Sequence, residues 1–160
     1  MALTYKMTKT KLRLDNARTP EQLQRMGRLA KKFGCFFCKG NYLKVGASPA
    51  LHQARYWFIK KNDYPYKGAV HHYLIASKTH VTKVTDISPS AWAELLKVIK
   101  WLEKRLKVKG GSIFARSGEM AYTGATLDHI HFHLLVGAKK RMGGTLKDNI
   151  LVTLGHKKII

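Results

Sequence analysis

Acidic residues are scarce in this sequence, because only 9 Asp and Glu stand against 30 Lys and Arg, a formal net charge of +21. A field of this strength attracts polyanions, of which nucleic acid is the usual one. Nine of the basic residues fall within residues 6–32, and three more follow one another at 139–141. A generally basic surface without such a partner explains the charge equally well, so both explanations stay open.

Long hydrophobic runs and cysteines are also few. No apolar run approaches the roughly 20 residues of a membrane span, and residues 1–14 lack the apolar stretch of a signal peptide. We therefore expect no membrane partner and a cytoplasmic location. The two cysteines, Cys35 and Cys38, stand at a spacing that favours metal or redox use over a disulfide in a reducing compartment.

The chain has the length and apolar content of one domain, with 160 residues of which 45% are hydrophobic. Residues 1–18 show no clear periodicity and are predicted to form a basic N-terminal arm. Residues 19–160 are predicted to form a single domain.

Capping residues and apolar spacing predict two helices. The first begins after Thr19, with Pro20 in its first turn and Gln22 completing a capping box, and ends at Gly34. The second begins at Ser88-Pro89 and extends to the glycines at 110–111. Strands are predicted at residues 42–45, 55–60, 72–76, 112–116 and 129–136. This order favours an α+β fold with an antiparallel sheet.

Three histidines, His129, His131 and His133, alternate with apolar residues in the last predicted strand. Because side chains along a strand point to opposite faces in turn, the three imidazoles share one face and the apolar residues anchor the other. Imidazole serves as nucleophile, acid, base or metal ligand near neutral pH. The row therefore predicts a phosphate-handling or metal-handling site, rather than a half-exposed strand with incidental histidines.

Residues 129–135, with the sequence His-Ile-His-Phe-His-Leu-Leu, resemble the signature of the histidine triad family. Four other segments resemble family motifs in the expected order. These are the Cys-x-x-Cys-Lys opening at 35–39, the turn at 62–65, the strand motif ending Lys-x-His at 72–80, and the phosphate-approaching segment at 124–126. The chain departs from the pattern at three positions, with Ser77 in place of Pro, Ala125 in place of Gln and Arg116 where Asn or Gln is commoner.

The resemblance implies a histidine-triad-like antiparallel sheet with packed helices, and an enzyme of the nucleotide hydrolase or nucleotidyl transferase type. Its substrates would be a dinucleoside polyphosphate or a nucleoside phosphoramidate. By resemblance His131 is the nucleophile that forms a covalent nucleotidyl-histidine, and His133 lies against the phosphate and the leaving-group oxygen. Asn62 would contact the ribose and Thr126 the phosphate.

Zinc is the cofactor that the resemblance implies. Cys35, Cys38, His72 and His129 would form a closed structural site, since two thiolates and two imidazoles suit tetrahedral zinc. His71 remains an alternative to His72, because neighbouring strand residues face opposite ways. The family also leaves a homodimer open.

Two alternatives account better for the net charge. One is a zinc-stabilised nucleic-acid-binding module without turnover. The other is a histidine triad enzyme that acts on adenylylated or capped nucleic-acid ends, with the basic arm as an electrostatic guide.

Overall fold

The computed structural model describes residues 12–38, 40–45, 48–140 and 142–158. Within these ranges the α-helices are α1 (Pro20–Phe33), α2 (Pro89–Leu106) and α3 (Met120–Thr123). The strands are β1 (Ala50–Gln53), β2 (Trp57–Lys61), β3 (His71–Ser77), β4 (Ser112–Ala115) and β5 (His131–Val136). Short 3-10 helices occupy Leu14–Asn16, Asn41–Leu43, Val84–Asp86 and Leu146–Asp148.

The five strands form one antiparallel sheet in the order β1-β2-β3-β5-β4, which confirms the predicted α+β fold. The histidine strand β5 lies between two partners: His133 is opposite Leu74 on β3 and opposite Phe114 on β4, and His131 is opposite Ala76. Since both edges of β5 are hydrogen-bonded, the histidine backbone is held on both sides.

One face of the sheet packs against α2. Phe132 and Leu134 of β5 are buried there with Leu95 and Leu102 of the helix. These β5 residues alternate with His131 and His133, so the apolar half of the strand anchors it as predicted.

The other face of the sheet packs against α1. Leu74 and Ala76 of β3 lie in a second apolar cluster with Met26 of α1 and Phe37 of the following loop. Residues directly opposite each other in an antiparallel pair share a face, so His131 and His133 lie on this side of the sheet.

Helix α1 has the predicted ends. The Thr19 hydroxyl accepts a hydrogen bond from the Gln22 amide at 3.1 Å, and Gly34 follows the last residue with φ of +66°. The Gln22 side chain accepts from the Arg18 amide at 2.8 Å instead of the Thr19 amide that the predicted capping box requires. Helix α2 begins as predicted but ends at Leu106, before the glycines at 110–111.

The sequence misplaces two other elements. The predicted strand at 42–45 is wrong, because Asn41–Leu43 is a 3-10 helix whose Tyr42 ring stacks on Phe58 at 3.8 Å between centroids. Strand β5 begins at His131, so His129 lies just before it instead of within it.

Part of the predicted N-terminal arm packs against the domain. Leu12 is buried and forms a β-bridge with Leu127, and the Arg13 amide donates to the Thr126 carbonyl at 2.9 Å. The Asn16 side-chain amide donates to the Ala125 carbonyl at 2.7 Å. Residues 12–18 therefore border the segment predicted to hold phosphate, and residues 1–11 lie outside the described residues.

No helix in the described part of the chain combines the length and apolarity needed to cross a bilayer. The expected cytoplasmic location and homodimer stay predictions.

Candidate active site and metal centre

A pocket lies between α1 and the histidine face of the sheet. All four residues predicted to handle the substrate line it, namely Asn62, Thr126, His131 and His133. Helix α1 supplies the facing wall, with Gln22, Arg25, Met26 and Leu29. The structure thus brings together residues that are up to 71 positions apart in the sequence (133 − 62).

His131 is held in one orientation by the backbone of the preceding histidine. Its Nδ1 lies 2.7 Å from the His129 carbonyl, and a carbonyl only accepts, so Nδ1 carries the proton. The lone pair of the neutral ring is therefore on Nε2. The pKa of His131 is lowered to about 4, chiefly by burial and also by the nearby Arg116 guanidinium, although the backbone hydrogen bond to His129 acts in the opposite direction. The ring is neutral at pH 7, as a nucleophile must be.

His133 lies deeper and is surrounded by other rings. Its Nδ1 is 2.8 Å from His72 Nε2, and the ring stacks on Phe114 at 4.5 Å between centroids. Arg116 Nη1 is 3.3 Å from His133 Nε2. Burial is the first cause that holds the pKa of His133 well below its ordinary value, followed by the neighbouring histidines and arginines.

His72 lies beside His133 and away from the two cysteines. The prediction that His72 is a metal ligand is therefore wrong. His72 is opposite Leu135 in the sheet, six residues beyond His129 (135 − 129). At about 3.4 Å per strand residue the separation is about 20 Å. His71 does not replace it, because it lies beside Tyr73 on the other face of β3.

Cys35, Cys38, His80 and His129 form the cluster that could hold a metal, with all four donor atoms within 4.8 Å of one another. Cys38 Sγ is 3.3 Å from His80 Nδ1 and 3.4 Å from His129 Nδ1. Cys35 Sγ is 3.4 Å from His129 Nδ1. The sequence did carry the signal for His80, since the motif at 72–80 ends with it and antiparallel pairing brings the end of β3 beside the start of β5.

These distances fit a tetrahedral ion. At zinc bond lengths the edges of a tetrahedron are about 3.3 Å between two nitrogens and about 3.6 Å between nitrogen and sulfur. His80 Nδ1 and His129 Nδ1 are 3.3 Å apart. His129 also places Nε2 2.7 Å from the Ser77 carbonyl, which fixes the proton on Nε2 and leaves Nδ1 for a metal.

Comparisons with known proteins agree with this geometry. The family model of the HIT domain matches residues 65–140, which include the triad. Residues 65–140, just under half of the chain, are therefore similar to a histidine triad domain.

Several known proteins are similar to this chain. An adenosine 5'-monophosphoramidase of Saccharomyces cerevisiae is 28% identical over 109 residues, which are 68% of this chain and 66% of the relative, just under two thirds of its length. A HIT family hydrolase from Clostridium thermocellum has a TM-score of 0.52 and 28% identity, over 70% of this chain and 96% of the other. A zinc-bound histidine triad family protein from Mycobacterium smegmatis, at 23% identity, shares the fold with a TM-score of 0.51 over 70% and 78%.

The two other residues predicted to contact the substrate, Asn62 and Thr126, are engaged in local hydrogen bonds. Asn62 Oδ1 accepts from the Tyr64 amide at 3.0 Å, and its Nδ2 lies 3.2 Å from His72 Nε2. The Thr126 hydroxyl donates to the Asn16 carbonyl at 3.4 Å. Both side chains are therefore fixed at the pocket wall before a substrate binds.

The burial of neutral histidine makes stability depend on pH. Burial lowers the pKa of His72 to about 4, whereas the unfolded value is near 6.5. Between about pH 6.5 and pH 4, His72 is therefore protonated in the unfolded chain and neutral in the folded protein. The free energy of unfolding falls as the pH is lowered through this range.

We predict that His72→Gln flattens the loss of unfolding free energy between pH 7 and pH 5, measured by urea titration. His71→Gln is the matched control and should keep the wild-type slope. Both variants retain the cysteine–histidine cluster, so any metal lost at low pH affects them alike. Equal slopes in the two variants would show that His72 is not the titrating group.

Proposed function

We propose that this protein is a nucleotide hydrolase or nucleotidyl transferase that cleaves its substrate at a nucleoside phosphate through a covalent nucleotidyl-His131 intermediate. The observation that carries the proposal is the hydrogen bond from His131 Nδ1 to the His129 carbonyl, which leaves a neutral ring with its lone pair on Nε2 in the pocket wall. A phosphate ester or anhydride needs such a nucleophile at neutral pH.

The reaction has two steps. His131 Nε2 attacks the phosphorus, the bond to the leaving group breaks, and its electron pair departs with that group. The ring keeps its Nδ1 proton and becomes an imidazolium, whose charge the His129 carbonyl stabilises. Water or another acceptor then attacks the phosphorus and gives up a proton to the solvent, and the phosphorus–nitrogen bond breaks to return the lone pair to Nε2. His133 lies at the same pocket and is placed to hold a phosphate oxygen. Thr126 can do the same once its hydroxyl proton turns away from the Asn16 carbonyl.

The relatives support this reaction class. The Saccharomyces cerevisiae protein is an adenosine 5'-monophosphoramidase, and the Clostridium thermocellum protein is a hydrolase. A phosphoramidate and a phosphoanhydride differ only in the leaving group, so one nucleophile serves both.

Brief incubation with a nucleotide substrate labelled in the α-phosphate should leave acid-labile label on the wild-type protein. His131→Ala should abolish it, because the substitution removes the attacking nitrogen. His71→Ala, a change on the opposite face of β3, should label like wild type. Acid quench followed by electrophoresis measures the label, and equal labelling of wild type and His131→Ala would refute the assignment.

The second part of the proposal is that Cys35, Cys38, His80 and His129 hold a structural zinc ion. The donor set and its spacing fit zinc, and four protein ligands close the site to substrate. The bound ion would stabilise the fold, since it ties the loop after α1 to the adjacent end of β3 and start of β5.

Protein purified without chelator should contain about one zinc per chain by elemental analysis. His80→Gln should lose the zinc and lower the melting temperature by several degrees. His72→Gln should keep the full zinc content, because His72 is bonded to His133 instead. Loss of zinc from His72→Gln with retention in His80→Gln would reverse the assignment.

Nucleic acid is a second candidate ligand, and the exposed side of α1 favours it. Arg28, Lys31 and Lys32 are exposed there, next to Arg25 of the pocket wall. A cationic track of this kind neutralises phosphates and releases counterions.

Changing Arg28, Lys31 and Lys32 together to Gln should weaken the binding of a single-stranded oligonucleotide and reduce its salt dependence by about two to three in slope. Turnover of a small nucleotide should be unchanged. Fluorescence anisotropy at several salt concentrations measures the affinity for the oligonucleotide. An unchanged slope of log affinity against log salt concentration would exclude this surface as the binding site.

A further inference from the structure

Two guanidinium groups stand at the substrate pocket without a carboxylate partner. Arg18 and Arg116 both line it. The ion pairs among the described residues join Arg13 to Asp15, and Arg25 and Lys60 to Asp63. None of these pairs includes Arg18 or Arg116. The two positive charges therefore lie near the pocket histidines and repel each other. Such an arrangement is costly unless an anion joins it.

Arg116 is anchored by one end only. Its Nη2 donates to the Tyr66 hydroxyl at 2.8 Å and to the Thr153 carbonyl at 2.7 Å. Its Nε is buried and has no hydrogen-bond partner among the described residues. The anchored Nη2 therefore fixes the group, while Nη1 lies on the side of His133.

The directions of the hydrogen bonds from Tyr66 through His72 to His133 indicate that an acceptor is needed beside Arg116. The Asn62 amide nitrogen lies 3.4 Å from His72 Nδ1 and 3.2 Å from Nε2, so it is aligned with the lone pair of neither and does not set the tautomer. The Tyr66 amide donates to His72 Nδ1 at 3.2 Å, so a neutral His72 carries its proton on Nε2 and donates it to His133 Nδ1. A neutral His133 then carries its own proton on Nε2, which faces Arg116 Nη1 at 3.3 Å. Two donors meet there, and an oxygen that accepts from both resolves the conflict.

The opposite proton arrangement would move the conflict inward. If Arg116 donated to His133 Nε2, each histidine proton would shift to Nδ1, and His72 Nδ1 would face the Tyr66 amide donor. That clash would be buried, where no ligand could relieve it, and buried backbone donors are almost always paired.

Arg18 approaches the same place from the N-terminal segment. Its guanidinium lies 4.2 Å from the centre of the Tyr66 ring, and its Nη2 donates to the Tyr64 carbonyl at 2.5 Å. Burial lowers the pKa of Arg18, and Arg116 contributes to the shift, which places the two cations within each other's field. Tyr66 contacts both groups, with its ring against Arg18 and its hydroxyl bonded to Arg116.

We infer that Arg116 and Arg18 bind a second phosphate group of the substrate, beyond the phosphate that His131 attacks. The inference rests on the proposed function and narrows it, because it selects nucleoside phosphoanhydrides over phosphoramidates. In an anhydride the bond from the attacked phosphorus to the bridging oxygen breaks, and the electron pair leaves on the departing phosphate. Guanidinium groups stabilise that anion, whereas an amine leaving group must gain a proton and offers them no charge.

Titration calorimetry with AMP and ADP tests the inference on the full-length protein, with His131→Ala in every sample to prevent turnover. ADP should bind about tenfold or more tightly than AMP, since charge-assisted hydrogen bonds to the added phosphate are gained. Arg116→Gln or Arg18→Gln should reduce ADP affinity about tenfold and AMP affinity less than about twofold. Arg105→Gln, an exposed change of the same kind on α2, on the other face of the sheet, should alter neither.

Other outcomes of the calorimetry would overturn the inference that Arg116 and Arg18 bind a second phosphate. Equal affinities for AMP and ADP, or an ADP preference that survives both substitutions, would show that the arginines do not hold a second phosphate. Equal losses for both nucleotides would place them on the first phosphate. In these cases the proposed function stands, whereas failure of both nucleotides to bind would remove the nucleotide site itself. If Arg116→Gln does not fold, Arg18→Gln gives the result.

Discussion

The hydrogen bond between His131 Nδ1 and the His129 carbonyl is the interaction on which the rest of the site depends. It sets the tautomer of His131 and the direction of the Nε2 lone pair. The residue that provides the carbonyl is itself fixed, because the His129 ring joins the cysteine–histidine cluster and its Nε2 donates to Ser77. A structural metal in that cluster would therefore orient the nucleophile through one residue, without contact with the substrate.

The fold supports this constraint from two sides. Strand β5 is paired on both sides, with β3 and β4, and α2 buries its apolar face, so the histidine face cannot rotate. Helix α1 and residues 12–18 close the pocket over the other face and bring Arg18 to it. The pocket is consequently enclosed by basic groups on the side where a substrate phosphate would lie.

Local sequence signals were enough to predict the ends of α1 and the two-faced strand β5, because capping and alternation act within a few residues. The choice of metal ligands depended on sheet register, a tertiary property, and the prediction therefore took His72 where the antiparallel pairing selects His80. Arg116 could be recognised as a departure from the family pattern. Its contact with His133 could not be predicted, since a long side chain reaches one of several neighbours. The docking of residues 12–18 had no periodic signal.

The state of the His131 ring is the most direct test of the proposed nucleophile. Two-dimensional nitrogen NMR of histidine side chains, on protein labelled with nitrogen-15 at pH 7, distinguishes the two neutral tautomers and the imidazolium form. The proposed site requires His131 to be neutral, with its proton on Nδ1, and this signal should disappear in His131→Ala. A proton on Nε2, or an imidazolium at pH 7, would leave no lone pair at Nε2 and would contradict the assignment.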